Sequence, residues 1–376
     1  MNLIKIKLHV LSPVNIGCDE VYEPTGFIID QERKALIEFD PIEFVQSLSP
    51  QKRQDFSGVC SGDNLLPVFK FIKNNYTPLR DSREVEIVPE LITHYQKVIT
   101  MSSYSKDAVI NQFTMNRTAF NLQTNRPYVP GSSLKGAIRT AYLSGLAGAG
   151  DYENLSKYLE GTAPLEGAVR GYAGKASELE KELLRGSFSE DPFSALKISD
   201  LLPTDRVKTK LLYAVNKKKR PSDRETKAQS GPPQILEVLM PGSVFEGTMC
   251  VEASLSRIKN PLDREKLLLA TNKHYSRVYN RELAVKKELE FMMPSFDDFR
   301  EAQKKTAFLV RLGRHSGGEA VTIEGNRKIK IMQGPGRAAI TKEEATTVWL
   351  AAEDRKGNIG TMIPFGWAVM EVTAEE

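Results

Sequence analysis

The chain opens with a stretch in which apolar and polar residues alternate. Lys5, Lys7 and His9 fall on one side of residues 2–10, and the apolar residues fall on the other. The apolar positions are Ile4, Ile6, Leu8 and Val10. A period of two residues is that of a β-strand with one buried face. The sequence therefore predicts a half-buried first strand, with His9 on its exposed side.

Later segments switch between this period and the helical one. Leu134, Ala137 and Ile138 recur at the spacing that places apolar residues on one face of a helix. In chain order, the predicted core elements are a strand at 2–10, a helix at 133–145, strands within 196–215 and 234–252, a helical region at 262–291 and a strand at 307–312. This is the order of a βαββαβ ferredoxin-like unit, so the pattern favours an α+β fold.

The clearest helix start lies in residues 128–139, of sequence YVPGSSLKGAIR. Pro130 and Gly131 together signal a turn. The hydroxyl of Ser132 or Ser133 is suited to accept a hydrogen bond from a free amide of the first helical turn. The sequence therefore predicts a capped helix that begins at these serines.

This helix start also carries candidate chemistry. Unpaired amides at a helix N-terminus attract anions, phosphate in particular. Lys135 lies in the first turns and Arg139 lies one turn further on. The arrangement predicts an anion site; the alternative is an ordinary amphipathic helix with two exposed basic residues.

A glycine-rich segment follows the predicted strand at 307–312. Its sequence from Gly313 to Gly318 is GRHSGG, and a strand is predicted to resume at 320–323. Glycine lets a backbone approach a ligand closely, and successive amides can line an anion site. Loops that bind ATP or dinucleotides open a helix instead, so neither cofactor is expected. Arg314 and His315 are the loop side chains capable of chemistry.

The composition narrows the class of protein. Of 376 residues, 27% are charged and 40% hydrophobic, which is typical of a folded globular chain. A net charge of +4 allows an anionic partner without requiring one. The three cysteines have no CxxC spacing, which favours a reducing compartment and argues against structural zinc. No stretch has the length of a membrane span, so we expect a cytoplasmic protein. Neither a metal nor a cofactor is expected.

Positive charge is concentrated at two further places. One is a basic run after the predicted strand at 207–215, formed by Lys217, Lys218, Lys219 and Arg220. Such a run is either a solvated loop or a loop that faces nucleic acid. The other place is a predicted hairpin, flanked by Arg117 and Arg126, that leads into the helix start. Arginine suits phosphate because its guanidinium donates two parallel hydrogen bonds.

Three stretches resemble the signature of the RAMP family, the repeat-associated RNA-binding proteins of CRISPR systems. They are PGSSLKGAIR at 130–139, FLVRLGRHSGGE at 308–319, and LSPVNIG at 11–17, which is followed by YEPT at 22–25 and FIID at 27–30. Each stretch is short, but their order along a chain of this length makes the resemblance specific.

The resemblance implies a ferredoxin-like (RRM-like) RAMP core with helical insertions and room for a second, degenerate RRM-like unit. We expect an N-terminal RAMP region at 1–205, which contains the central motif and a helical insertion at about 40–115. A C-terminal RAMP region at 206–376 then contains the glycine-rich loop.

The resemblance also implies a function. The chain looks like a non-catalytic subunit of a type III-A CRISPR (Csm) effector complex that binds crRNA. Such a subunit caps the filament at the crRNA 3′ end and supports crRNA maturation and antiviral defence. The implied partners are the crRNA, the target RNA indirectly, the backbone RAMP subunit, the small subunit of the Csm complex and host nucleases. No membrane partner is expected.

The RNA-binding positions carried over from the motifs are Gly131, Ser132, Ser133, Lys135, Gly136, Arg139, Gly313, Arg314, His315, Gly317 and Gly318. Arg117 and Arg126 are added by adjacency, and the basic run at 217–220 is added by charge. The expected role of these residues is to position phosphates, so binding should be largely independent of sequence and sensitive to salt.

The main alternative is a metal- or histidine-dependent RAMP endoribonuclease. Many relatives carry histidine before Ile-Gly in the first loop, where this chain has Asn15, which weakens an acid–base role there. His315 could act as a general base, and Asp19 or Asp30 could contribute to a metal site. No second catalytic partner is identifiable, so we expect no enzymatic activity.

A third hypothesis is an assembly protein without RNA contact. The glycine loop and the basic helix start argue against it, because protein interfaces favour apolar and aromatic anchors. Other residues are assigned to structure. His274 is predicted to lie on a helix surface, Asp200 to serve a turn or cap, and Trp349 and Trp367 to anchor the core rather than stack on bases.

Overall fold

The fold is given by a computed structural model. The described residues are 3–62, 65–100, 114–147, 176–184, 188–220, 233–252, 258, 260–303, 305–331, 336, 338–358 and 360–375. Residues 101–113 of the predicted helical insertion therefore lie outside the described residues. No helix in the described ranges is both long and apolar enough to cross a membrane.

Helices and strands alternate along the described chain. The helices are α1 (Pro41–Ser47), α2 (Pro50–Cys60), α3 (Leu65–Asn75), α4 (Pro89–Thr100), α5 (Gly131–Leu146), α6 (Ala176–Leu184) and α7 (Arg264–Val285). The strands are β1 (Leu3–Val10), β2 (Gly17–Val21), β3 (Phe27–Asp30), β4 (Ala35–Glu38), β5 (Arg83–Ile87), β6 (Met115–Thr118), β7 (Phe120–Asn121), β8 (Arg126–Pro127), β9 (Leu196–Ile198), β10 (Leu202–Pro203), β11 (Thr209–Lys218), β12 (Gln234–Leu239), β13 (Val244–Val251), β14 (Ala307–Arg311), β15 (Ile329–Ile331), β16 (Ile340–Lys342), β17 (Thr347–Ala352), β18 (Ile363–Pro364) and β19 (Trp367–Glu375).

The first sheet is built around β1. Its order is β10–β13–β1–β19–β14, with β9 also paired to β13. The predicted alternation in β1 is confirmed, since Ile4, Ile6 and Leu8 are each only 1% exposed. Strand β14 does not lie beside β1. The C-terminal strand β19 pairs with β1 from Ile4 to Val10 and separates it from the shorter β14.

The second sheet contains two strands that the sequence pattern assigned to the same core unit as β1. Its order is β2–β6–β12–β11–β5–β4–β3, with β17 also paired to β11 and β18 to β17. Strands β11 and β12 therefore belong here, whereas β9 and β13 belong to the first sheet. Both sheets combine strands from either side of residue 205, so the boundary at 205/206 stays a prediction.

Two long helices cover the first sheet. Leu134 and Ile138 on α5 and Tyr275 on α7 are buried in one cluster with the apolar face of β1. The Tyr275 hydroxyl lies 3.2 Å from the carbonyl oxygen of Ala137 and 3.3 Å from that of Ala320. This hydroxyl thus joins helix α5 to the chain just beyond the glycine-rich segment.

Shorter helices cover the second sheet. Phe69 on α3 and Leu91 and Tyr95 on α4 share a buried cluster with Val85 of β5. A smaller cluster joins α1, α2 and α3 to strands β3 and β4. Helices α1 to α4 and strand β5 therefore lie between residues 41 and 100, and they pack as part of the second sheet and its cover. The insertion at about 40–115 stays a prediction.

A buried ionic network links strands of the second sheet. Glu237 on β12 is 1% exposed and forms an ion pair with Arg83 of β5. Arg83 also lies 3.4 Å from Glu38 of β4, whose other oxygen lies 2.7 Å from Nη1 of Arg117 on β6. The Tyr22 hydroxyl accepts a further hydrogen bond from Arg83, at 3.1 Å. These ion pairs connect four strands, because removal of one partner would leave a buried charge unpaired and lower the stability of the fold.

His274 lies in the core, which corrects its predicted position on a helix surface. The residue is fully buried on α7, and its ring meets that of Tyr275 edge-on with centroids 4.8 Å apart. Burial, followed by the charge of Arg327, lowers the pKa of His274 to about 4. The helix places this face inward, although Lys273 and Arg277 flank it in sequence.

Replacement of Glu237 by glutamine should destabilise the protein. The variant Glu237→Gln leaves Arg83 in a buried site without its closest carboxylate, which should cost roughly 3 kcal/mol of unfolding free energy. The matched control is Glu86→Gln, whose side chain is 58% exposed and pairs with Lys210 at 2.9 Å. That change should cost less than about 1 kcal/mol. Urea unfolding of both variants tests the difference, and equal losses would contradict a structural role for the network.

Acid should weaken the fold through His274. Its folded-state pKa lies below the unfolded value, so the folded protein binds fewer protons, and stability falls as pH drops from about 6.5 towards 4. The variant His274→Phe removes this term. Wild type should therefore lose up to about 3 kcal/mol more than the variant between pH 7 and pH 4. Urea unfolding across this range measures it, and parallel pH profiles would sink the idea.

Candidate nucleic-acid interface

The loop at residues 11–17 is where the predicted motifs meet. The carbonyl oxygen of Asn15 accepts a hydrogen bond from the amide of Arg314, at 2.8 Å. The carbonyl oxygen of Ile16 accepts one from the amide of Ala119, also at 2.8 Å. Val14 forms an isolated bridge with Leu239 of β12. The first loop therefore contacts both the glycine-rich segment and the hairpin that leads into α5.

Gly313 packs against this loop without room for a side chain. Its φ angle is +80°, and a Cβ atom there would lie 2.2 Å from the carbonyl oxygen of Asn15. Glycine tolerates that φ, and no other residue would fit so near a backbone oxygen. The glycine is therefore required by the fold, whatever else the loop binds.

Arg314 turns towards the edge of the second sheet. Its Nη2 lies 2.6 Å from Oδ1 of Asp19, and its Nη1 donates to Oδ1 of Asn116 at 3.3 Å. Gly17 lets the guanidinium pass, since a Cβ there would lie 2.3 Å from Nε of Arg314. The side chain is 37% exposed, so this cation can reach a ligand from the surface.

His315 turns away from Arg314, towards aromatic rings. Its φ angle is +62°, and its ring centroid lies 4.4 Å from that of Trp349 and 5.5 Å from that of Phe365. Burial, followed by the nearby charge of Arg314, lowers the pKa of His315 to about 4. The imidazole is therefore neutral at pH 7 and does not bring a positive charge to the loop.

The end of the glycine-rich segment is also tightly packed. Gly317 has a φ angle of +82°, and a Cβ atom on Gly318 would lie 2.9 Å from Cδ1 of Ile329. Directly after it, Glu319 receives Nζ of Lys219 at 2.7 Å. The segment thus meets the end of the basic run predicted at 217–220.

The helix start differs from the predicted cap. Pro130 occupies the N-cap position, α5 begins at Gly131, and Ser132 and Ser133 lie inside the helix. The amide of Gly131 donates to Oδ1 of Asp200, at 2.9 Å. Ser132 and Ser133 as caps were therefore wrong, whereas the interpretation of Asp200 as a cap is confirmed. The carboxylate of Asp200, just beyond β9, therefore already accepts a hydrogen bond from the first amide of α5.

The two glycines of the central motif have different surroundings. A Cβ on Gly131 would lie 2.3 Å from the carbonyl oxygen of Ile198 and 2.5 Å from that of Ser199. Gly136 is exposed, and apart from its own helix backbone and chain neighbours no atom of the described residues lies within 4 Å of where its Cβ would be. The fold therefore requires a glycine at 131 and not at 136.

The two basic residues of the motif also divide. Nζ of Lys135 donates to the carbonyl oxygen of Leu196 at 2.7 Å, and burial lowers the pKa of this lysine. Arg139 is held between two carboxylates, with Nη2 2.6 Å from Glu180 and Nη1 2.9 Å from Asp191. Arg139 is thus neutralised within the fold, while Lys135 remains half-exposed.

The arginines of the hairpin divide in the same way. Strands β7 and β8 confirm the predicted hairpin. Arg117 is 8% exposed, pairs with Glu38 and lies 3.5 Å from the ring centroid of Phe120. Arg117 is therefore held inside the fold rather than on its surface. Arg126 is exposed, and its Nη2 donates to the carbonyl oxygen of Asp205 at 3.2 Å.

Much of the basic run belongs to a strand. Strand β11 extends to Lys218, beyond the predicted end at residue 215. Nζ of Lys217 donates to the carbonyl oxygen of Lys356 at 2.8 Å, and Lys219 pairs with Glu319 as described. Arg220 is exposed. The first residues of the run are therefore in a paired strand rather than in a solvated loop.

The residues considered for catalysis have structural partners. Asn15 is fully buried, and its Nδ2 donates to the carbonyl oxygens of Glu237 at 2.7 Å and Arg117 at 3.2 Å. Oδ1 of Asp30 accepts from the amides of Glu32 and Arg33 in the turn between β3 and β4. These contacts give Asn15 and Asp30 roles in the fold.

Several residues of this region gave no signal in the sequence. Trp349 was assigned to the core, yet it is only half-buried and contacts the glycine loop. The partners of Glu237, Glu180 and Asp191 are arginines far away in sequence. Only their contacts across the chain reveal what they do.

The fold and the loops define a class of protein. The sheet built on β1, the helices α5 and α7 that cover it and the glycine loop after β14 are those of an α+β, RRM-like fold. The family model of the RAMP superfamily matches residues 7–318, and the chain belongs to that superfamily. The resemblance drawn from the three motifs is confirmed.

A curated relative carries a more specific name. It is the "CRISPR system Cms protein Csm5" of Methanocaldococcus jannaschii, which is 29% identical over 200 residues. These cover 53% of this chain and 43% of the relative, so the alignment spans less than half of that protein.

Solved structures share the fold over nearly the whole chain. One is a chain of the Csm–crRNA–target RNA ternary complex of a type III-A CRISPR-Cas system, determined by cryo-EM. It has a TM-score of 0.61, 19% identity, and coverage of 99% of this chain and 100% of that chain. The crystal structure of T. onnurineus Csm5 has a TM-score of 0.53 and 16% identity, with coverage of 96% and 99%. The predicted RRM-like RAMP fold is confirmed.

Alanine substitutions should separate the two glycines of the central motif. Gly131→Ala forces a methyl group against two backbone oxygens and should cost about 2–3 kcal/mol of unfolding free energy. Gly136→Ala fills open space on a helix and should stabilise the protein by up to about 1 kcal/mol. Urea unfolding tests both. A loss of stability in Gly136→Ala would mean that this glycine too is required by the fold.

Proposed function

We propose that this protein is a non-catalytic crRNA-binding subunit of a type III-A CRISPR effector complex. In this proposal it caps the filament at the crRNA 3′ end and supports crRNA maturation and antiviral defence. Membership of the RAMP superfamily and the likeness to a chain of a Csm–crRNA–target RNA complex support the proposal. The proposed protein partners are the backbone RAMP subunit and the small subunit of that complex, with host nucleases as transient partners.

The exposed glycine on α5 is the observation that carries RNA binding. A glycine inside a helix costs up to about 1 kcal/mol relative to alanine. Within the part of the chain that the structure describes, nothing packs into the space beside Gly136, so the packing of these residues does not require a glycine there. Ser132 lies one turn earlier on the same face and is also exposed. A face without bulky side chains lets a phosphate backbone approach the helix closely.

The fold leaves several cations at or near the surface. Lys135 lies beside Gly136, and Arg126 lies at the base of the hairpin that leads into α5. Arg314 and Arg220 are further surface cations at the glycine loop and at the end of β11. Charges spaced along a surface neutralise successive phosphates and read no sequence. Arg117 and Arg139 are not part of this proposed surface, because carboxylates inside the fold hold them.

The endoribonuclease alternative finds less support in the geometry. A histidine with a pKa of about 4 is a weak general base at pH 7, and the ring of His315 faces Trp349 and Phe365. Asp19 is paired with Arg314 and Asp30 caps a turn. The proposed role is therefore to hold RNA rather than to cut it.

Removal of two surface cations should weaken RNA binding in a salt-dependent way. For the double variant Arg126→Ala, Lys135→Ala, the slope of log K against log salt should fall by about 1.4, because each lost contact to single-stranded RNA removes about 0.7. The control is Lys52→Ala, an exposed lysine on α2. Titration of labelled crRNA by fluorescence anisotropy at several salt concentrations measures the slopes.

The same titration tests the open helix face. Gly136→Gln suits a helix but fills the space beside it, so it should weaken crRNA binding without lowering stability. Unchanged affinity and slope in both variants would contradict RNA contact at α5. Denaturing gels with Mg²⁺ accompany the titration, and shortened RNA in the wild-type reaction would contradict the non-catalytic role.

A further inference from the structure

The glycine loop places an aromatic pair at the surface of the second sheet. The centroids of His315 and Trp349 are 4.4 Å apart with their planes at 42°, and Phe365 lies 5.5 Å from His315 on the inner side. Phe365 is fully buried, whereas His315 and Trp349 are both half-buried. The pair thus rests on the core and keeps part of its surface open to solvent.

Polar residues lie on the same face as Trp349. Strand β17 pairs antiparallel with β11, with Trp349 opposite Asn216 and Thr347 opposite Lys218. Residues directly opposite each other share a face, so Asn216 lies beside the indole and Lys218 lies about 7 Å further along the strand. The neighbouring pair Val215 and Leu350 is fully buried on the other face.

Charge on the two sides of the loop differs. Arg314 turns to the edge of the second sheet, where it is partly exposed. On the aromatic side the imidazole of His315 is neutral at pH 7, because burial and the charge of Arg314 lower its pKa to about 4. A neutral imidazole beside an indole offers no positive charge to a phosphate, but its ring can stack on the flat face of a base.

We propose that His315 and Trp349 form a stacking site for one unpaired nucleobase of the bound RNA. The proposal rests on the RNA-binding function argued above. It assigns bases to the His315 side of the loop and phosphates to the Arg314 side.

A nucleobase explains this site better than a protein side chain does. Stacking on aromatic rings tolerates every base, which agrees with RNA binding that does not read sequence. The site joins the indole of Trp349, on β17, to the imidazole of His315 from the glycine loop. The side chains that anchor protein–protein interfaces instead fill pockets, and the contacts around those pockets contribute little binding energy.

The test compares variants that remove or keep a ring. His315→Asn removes the ring and tolerates the positive φ, Trp349→Val removes the indole and suits a strand, and Trp349→Phe keeps an aromatic face. Each full-length variant is titrated with labelled single-stranded RNA of mixed sequence at several salt concentrations. Thermal unfolding confirms that each variant is folded.

Loss of a ring should weaken RNA binding by about fivefold or more, because stacking is worth at least about 1 kcal/mol per base. The salt slope should stay at the wild-type value, since no phosphate contact is lost. Trp349→Phe should bind within about twofold of wild type, as an aromatic face remains. A scan with 2-aminopurine at single positions should find one base whose fluorescence is quenched by wild type and released in His315→Asn.

Two outcomes would overturn the stacking site. Wild-type affinity in both His315→Asn and Trp349→Val would mean that the rings serve only the fold or a protein contact. A lower salt slope in His315→Asn would mean that His315 contacts a phosphate. Absence of salt-dependent binding by wild type would instead contradict the proposed RNA-binding function, so the two failures are distinguishable.

Discussion

The close approach of the glycine loop to the first loop holds the molecule together at its centre. The amide of Arg314 donates to the carbonyl oxygen of Asn15, at a distance that only glycine at position 313 permits. The side chain of Asn15 then donates both hydrogens of its amide to the backbone of Glu237 and Arg117. Asn15, in the loop that follows β1, therefore connects the glycine loop to two strands of the second sheet. The motif glycine and the motif asparagine are two sides of a single contact.

The same constraint decides which cations remain for a ligand. Four strands of the second sheet meet in a network that uses Arg83 and Arg117, and α5 is tied to its neighbours through Arg139. A net charge of +4 thus conceals a division between internal and surface charge. Arg126 and Arg314 stay at the surface. Arg126 lies on the hairpin, and Arg314 lies in the glycine loop. Charge alone would not distinguish these two groups.

Local patterns predicted the elements, and contacts over long distances in sequence set what the elements do. The alternation in β1 and the apolar spacing in α5 depend on neighbouring residues, so the sequence predicts both correctly. The cap of α5 was predicted wrongly because Asp200, 69 residues away, supplies the carboxylate. His274 carries basic neighbours in sequence, yet the helix turns its ring inward. The insertion of β19 between β1 and β14 depends on pairing across the whole chain, which no local period reports.

The glycines of the two motifs differ in whether the fold requires them. In the glycine loop, a positive φ angle and close packing account for Gly313, and close packing accounts for Gly318, without any ligand. On α5 the close approach of two backbone oxygens accounts for Gly131, whereas no described residue packs beside Gly136. Gly136 lowers helix stability, and contacts within the described part of the chain do not account for it. The strongest structural argument for a ligand therefore lies at an open position on the helix, and the side chains of the loop add the aromatic face that a nucleic-acid backbone alone would not need.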